Sequence, residues 1–270
     1  MSHPAFLSAA QVAQFHAQGF LRLSADSSSS LPLLSPAQVA HLRALALSHL
    51  EQRIEPFELE AATGYPGAPA SCHAQGGDTI RRLLGAYDRH PDFAAWAGRT
   101  EIIQSLHILL GGAPILARAH HNCVMTKQPA FSSQTNWHQD IRYWSFTDSE
   151  LISVWLALGE ETIENGCLWV LPGSHRWILE AAQLDERKFL RTDLAQNQAL
   201  LAGAIPVPLA AGEVLLFHAR TFHAARHNAT QQLKCALVFT YHGPQTQPLP
   251  NTRSALQAEV DFQLATSVPD

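Results

Sequence analysis

The sequence predicts a mainly β chain with flanking helices: an antiparallel sandwich or barrel whose N-terminal helices cover one face. Three observations predict it. From residue 114 to about residue 242 the chain is a succession of short segments rich in Val, Ile, Leu, Phe, Tyr and Trp, separated by turn residues. Those segments do not alternate regularly with helices, which argues against a parallel sheet. The first 112 residues instead carry helix signatures. With 270 residues, 46% hydrophobic and only 15% charged, the chain can bury a sizeable core and is not disordered.

Taken in order, Ser8 is placed to cap a helix over 9–18 and Gly19 to end it, leading into the apolar segment 20–23. The serine run 27–30 reads as a connector. Ser35 and Pro36 then open a second helix over 36–52, with Pro at the first helical position. Residues 63–77, TGYPGAPASCHAQGG, form a long Gly-, Pro- and Ala-rich loop, of the kind that serves as a lid. A third helix over 101–110 follows Thr100 and ends at Gly111 and Gly112. The expected strands are 115–126, the stretch after Trp137, 151–158, 167–171, 205–209, 213–218, the segment around His223, and 233–242. One helix, over 175–189, is expected to interrupt them.

Composition removes several functions. Eighteen Lys and Arg against 23 Asp and Glu leave a net charge of −5, which excludes a basic nucleic-acid binder. No apolar run approaches the ~18 residues that span a bilayer, and the N-terminus lacks an export signature. A soluble, cytoplasmic protein is expected. The four cysteines lie far apart without a C-x-x-C pair and read as reduced thiols, mostly core. With fifteen histidines, spacing must select any ligand.

The strongest local signal is Trp137-His138-Gln139-Asp140. In an extended chain, residues i and i+2 project from one face, so His138 and Asp140 can offer an imidazole and a carboxylate to one point while Gln139 faces away or lies along the edge. The later segment EVLLFHARTFHAARHN adds His218, His223 and His227. Two histidines and one carboxylate with open positions are the donor set of non-haem Fe(II) oxygenases.

At this point the chain resembles the phytanoyl-CoA dioxygenase-like branch of the Fe(II)/2-oxoglutarate oxygenases. The resemblance rests on LSAAQVAQFHAQGFLRL, WHQDIRYWSFTDSELISVW, ENGCLWVLPGSH and GEVLLFHARTFHAARHN, four motifs in the family's order. It implies a double-stranded β-helix, a cupin-like jelly roll, as one domain over 1–270. The helical part would cover about 1–112, the jelly roll about 113–243, and a loop and tail 244–270. It implies His138, Asp140 and His223 as metal ligands, with His218 beside the site and His227 on a surface or loop. The implied cofactors are Fe(II), 2-oxoglutarate as cosubstrate, and O2.

Two departures stand out. Where the family usually has an arginine for the far carboxylate of 2-oxoglutarate, this chain has Lys234, whose face Ala236, Val238 and Thr240 would share. A lysine can neutralise a carboxylate but cannot form arginine's two-pronged hydrogen bond. The alternative is an exposed Lys234, with Arg220 or Arg226 binding the carboxylate. Ala225 stands where the family commonly has serine. The resemblance also places Gln139, Trp155 and Lys127 in the cosubstrate pocket, Trp155 being open to the alternative of an ordinary core aromatic. Tyr143 and Trp144 are candidates to stack against substrate or simply to pack. The PGSH turn lacks the spacing of a hydrolase nucleophile elbow.

The implied reaction is hydroxylation of an unactivated C–H bond with release of succinate and carbon dioxide, since related halogenases lack the metal carboxylate that Asp140 supplies. Desaturation and ring formation use the same ligands. A small-molecule substrate is expected, and no nucleic-acid or membrane partner. Loops 63–78 and 243–254 would set specificity, and the net charge leans towards a neutral or cationic metabolite. Two rivals share the barrel: a cupin-like metal enzyme that does not use 2-oxoglutarate, and a non-catalytic binding protein.

Overall fold

The computed structural model describes residues 6–24 and 33–263; the serine connector expected over 27–30 lies outside them. Helix α1 spans Ala9–Gln18, with Ser8 and Gln11 forming a reciprocal capping box and Gly19 ending it at φ 80°. Strand β1 follows at Phe20–Leu23. Helix α2, Pro36–Glu51, repeats the device with Ser35, Gln38 and Pro36. The sequence reading passed over the next elements: β2 (Phe57–Leu59), β3 (Ile80–Leu84), α3 (Ala86–Arg89) and α4 (Pro91–Ala97). Helix α5 spans Thr100–Leu110.

The expected strand over 115–126 is two, β4 (Ile115–Leu116) and β5 (Asn122–Lys127), separated by a turn that carries His120 and His121. Strand β6 covers Thr135–His138 and stops there, so the stretch after Trp137 is not a strand. A 3-10 turn, Asp140–Tyr143, follows. Then come β7 (Leu151–Ala157) and β8 (Leu168–Val170).

The helix expected over 175–189 is absent. That stretch holds two 3-10 turns, Ser174–Arg176 and Ala181–Gln183, and a tight turn over 185–188, joined by extended chain. The reason is periodicity. Trp177 and Leu179 pack with Leu171, Leu190 and Phe222, while Ile178 between them is 95% exposed, a period of two that a helix cannot satisfy. The helix in this part of the chain is α6, Ala195–Leu201. Strands β9 (Ile205–Val207), β10 (Val214–His218), β11 (His223–Ala225), β12 (Lys234–His242) and β13 (Val260–Asp261) complete the chain.

Every pairing of these strands is antiparallel. The large sheet runs β1-β10-β7-β12-β5-β3-β2, with β4 and β13 attached beside β12; the small sheet runs β6-β11-β8-β9. Alternate residues of the central strands serve two cores. Trp155, Ala157, Leu215, Phe217, Ala236 and Val238 meet Leu168, Val170, Val207 and Ala225 of the small sheet. The residues between them, such as Val154, Leu216, Leu237 and Phe239, pack beneath the N-terminal helices. Because both faces of β7 and β12 are buried, these strands read as continuous apolar runs. The result is the jelly roll with flanking helices. Among the described residues no helix is long and apolar enough to cross a membrane.

Candidate metal centre

Strand pairing builds the site. In the small sheet His223 of β11 lies directly opposite His138 of β6, and their ring centroids are 4.2 Å apart. Gln139 continues the extended chain at φ −109° and ψ 137°, so Asp140 falls on the same side as His138 although the strand has ended.

The hydrogen bonds fix how the rings present themselves. His138 Nδ1 is 2.8 Å from the carbonyl oxygen of Asn136, and His223 Nδ1 is 3.0 Å from that of Thr221. A carbonyl only accepts, so each Nδ1 carries a proton and each ring turns its Nε2 inward, where the neutral tautomer has its lone pair. Both Nε2 atoms lie 3.6 Å from Asp140 Oδ1. That oxygen is buried and has no hydrogen-bond partner. Asp140 Oδ2 instead meets His121 Nδ1 and Ser153 Oγ, each at 3.4 Å.

One ligand atom from each of His138, Asp140 and His223 falls within 4.8 Å of the others. Burial alone would push the Asp140 carboxyl up, but the imidazoles of His121, His223 and His138 hold it well below the usual carboxylate range. Burial, then the neighbouring His138, lowers His223 to about 4, although Asp140 opposes the shift. An anionic oxygen facing two neutral imidazole lone pairs is a ready set of three donors for a divalent metal. They open onto a cavity of about 490 Å³ between the sheets.

A family model described as phytanoyl-CoA dioxygenase (PhyH) matches residues 15–236. The chain belongs to the phytanoyl-CoA dioxygenase family. Phytanoyl-CoA dioxygenase domain-containing protein 1 from Bos taurus is 28% identical over 125 residues, 43% of this chain and 41% of that relative, so the match spans less than half of the relative's length. L-proline trans-4-hydroxylase from Streptomyces griseoviridis is 26% identical over 213 residues, 72% of this chain and 76% of that one. Among solved structures, EctD from S. alaskensis with 2-oxoglutarate and 5-hydroxyectoine is 22% identical with a TM-score of 0.68, covering 91% of this chain and 79% of that one; this likeness shows the fold.

Beyond the three donors, this family member distributes its expected site residues unevenly. Lys127, Trp155, Lys234, Tyr143 and Trp144 line the cavity. Gln139 does not. Its Nε2 donates to the carbonyl of Arg220, away from the cavity, as the i, i+2 geometry requires of the residue between His138 and Asp140. Lys234 is buried rather than exposed, and its Nζ is already paired with Glu161 Oε2 at 2.9 Å. Trp155 donates from Nε1 to Glu161 Oε1 at 2.8 Å. Lys127, opposite Lys234 in the β5–β12 register, donates to the Ser133 carbonyl at 2.7 Å and has no carboxylate of the described residues within ion-pair distance. Burial, with Arg81 and Lys234 close by, lowers its pKa well below the ordinary lysine value. Neither alternative arginine reaches the cavity: Arg220 donates to Trp177 O and Arg226 lies over the Trp169 ring.

Sequence reasoning missed His121, Glu161, Arg81 and Arg253. His121, Arg81 and Arg253 line the cavity, and Glu161 touches Lys234 and Trp155, which do. Their signal was weak because each acts through a contact distant in the chain.

Proposed function

We propose that this family member is an Fe(II)- and 2-oxoglutarate-dependent dioxygenase that hydroxylates an unactivated C–H bond of a small molecule, forming succinate and carbon dioxide. The observation that carries the reading is the buried, unpartnered Asp140 Oδ1 facing both histidine Nε2 atoms at 3.6 Å. The donor set fits Fe(II), which His138, Asp140 and His223 would hold at the wall of the cavity. Support comes also from the named activity of the L-proline trans-4-hydroxylase and from the 2-oxoglutarate bound in EctD.

Bound iron, with 2-oxoglutarate and O2, supplies the two-electron oxidant: one oxygen atom enters succinate and the other the substrate. The protein's own part is placement. The carbonyls of Asn136 and Thr221 hold the two rings with Nε2 inward. Lys127, flanked by the Lys234–Glu161 pair, offers positive charge to the far carboxylate of 2-oxoglutarate. Tyr143 and Trp144, carried by and just after the 3-10 turn at Asp140, form the wall along which a substrate would lie. Trp155, Leu168, Phe217 and Ala225 add an apolar lining from both sheets.

Anaerobic addition of Fe(II) and then 2-oxoglutarate tests the reading. A weak visible charge-transfer band that requires both, and that is lost in Asp140→Ala, is the expected result. Metal binding without such a band would favour a metal enzyme that does not use 2-oxoglutarate.

A further inference from the structure

The net charge of the chain is −5, yet the cavity wall is cationic: Arg81, Arg82, Lys127, Arg187, Lys234 and Arg253 against Glu58 and Asp140. Partners account for most of these cations. Arg81 is paired with Glu60 at 3.2 Å, Arg82 with Glu58, and Lys234 with Glu161. Arg187 donates to the carbonyls of Thr63 and Gly64 and stacks over Tyr65 and Phe189.

Three of them have no carboxylate partner among the described residues; with Arg187 held by carbonyls and rings, Lys127 and Arg253 remain, at opposite ends of the cavity. Lys127 closes the far end of β5. Arg253 lies beside His120 and His121, which immediately precede β5 and flank Asp140. The six residue steps from His121 to Lys127 correspond to about 20 Å of strand, so one small dianion on the metal does not neutralise both.

Arg253 is held there by its neighbour. Ser254 is buried; its Oγ accepts from Ser145 N at 2.8 Å and bonds His120 Nε2 at 2.8 Å. These bonds pin the C-terminal segment to the turn before β5 and to the residue after Trp144. The Trp144 and His120 rings, 5.0 Å apart and tilted by 36°, line the cavity at the same end. Burial, then His121 and Arg253, keeps His120 neutral at ordinary pH, so Arg253 is the fixed charge at this end.

We propose that the substrate of this site is a small organic acid whose carboxylate is held by Arg253, with its apolar or ring-shaped body along Trp144. This reverses the leaning towards a neutral or cationic metabolite that net charge suggests, because the overall charge lies elsewhere on the surface. It rests on the oxygenase reading above for the identity of the reaction but not for the anion site.

Phenylacetate and its uncharged isostere phenylacetamide are the probes, titrated calorimetrically into the full chain with and without saturating Zn(II) and 2-oxoglutarate. Phenylacetate is expected to bind about tenfold more tightly than the amide under both conditions. The preference should collapse to within about twofold in Arg253→Gln and return in part in Arg253→Lys. Equal binding of acid and amide, a preference unchanged in Arg253→Gln, or no millimolar binding of phenylacetate overturns the proposal. A preference abolished by 2-oxoglutarate also overturns it, since that assigns the anion to Lys127. Failure of the oxygenase reading shows separately, as an absent charge-transfer band with the Arg253-dependent preference intact.

Discussion

Lys234 and Glu161 form an ion pair of 2.9 Å inside the barrel, at side-chain exposures of 4% and 0%. The lysine Nζ also lies 4.8 Å from the centre of the Trp155 ring, whose own Nε1 donates to the second Glu161 oxygen. Both carboxylate oxygens are thus committed. A lysine at a position where arginine is usual has brought with it a private counter-ion.

Breaking that pair from the acid side should be costly. Glu161→Gln leaves a buried ammonium unpaired, which typically destabilises by about 3–5 kcal/mol. Urea denaturation should show the loss, and metal with 2-oxoglutarate should restore part of it by returning a carboxylate to the region. A variant as stable as the parent would mean that Lys234 finds another partner or sheds its proton.

Metal should stabilise the fold through the same three donors that face one another. At a concentration one hundred times its dissociation constant, a ligand of the folded state adds about 2.7 kcal/mol. Thermal unfolding with Zn(II) and then with chelator should show the rise and its reversal, whereas Asp140→Ala should show neither. An equal rise in the variant would place the metal elsewhere.

The apo protein should lose stability as the solution is acidified. Burial, then His121 and Arg253, lowers His120 to about 3, against about 6.5 in an unfolded chain. Between those values the unfolded chain binds a proton that the folded one refuses, so stability is fully present above pH ~6.5 and declines as pH falls towards 3. His120→Gln should flatten the pH dependence near pH 5 by about one proton. An unchanged slope would show that His120 charges without unfolding.

Thiol chemistry reads the burial of the four cysteines. Cys72 is exposed, while Cys123, Cys167 and Cys235 are buried. Burial pushes those three thiols up to about 11, 11 and 12. A disulfide reagent should therefore titrate one thiol rapidly in the native chain and four after denaturation, with Cys72→Ser abolishing the fast phase.

How much was legible in the sequence depended on how locally each feature is encoded. His138 and Asp140 could be paired from the i, i+2 rule alone, and the rule also puts Gln139 outside the cavity, against its assignment by resemblance. His223 could not be separated from His218 and His227 by spacing. What separates them is strand register: His223 stands opposite His138, whereas His218 ends β10 in the other sheet and His227 follows β11. The composition of residues 175–189 suits a helix, yet the apolar cluster around Leu171 and Phe222 draws in Trp177 and Leu179 and extends the chain. Glu161 was invisible because its meaning lies in a lysine 73 positions away.

The position of β1 bears on self-association. This four-residue strand lies along β10 in full register, Phe20 opposite Phe217 through Leu23 opposite Val214, and is the outermost member of the large sheet. Its Arg22 points outward and bonds Glu213, placing charge at the margin. Without it, β10 would present a bare row of amide and carbonyl groups flanked by Leu215 and Phe217, a template onto which another chain could add a strand. The N-terminal strand takes that place on β10 and sets the charged Arg22 at the margin instead.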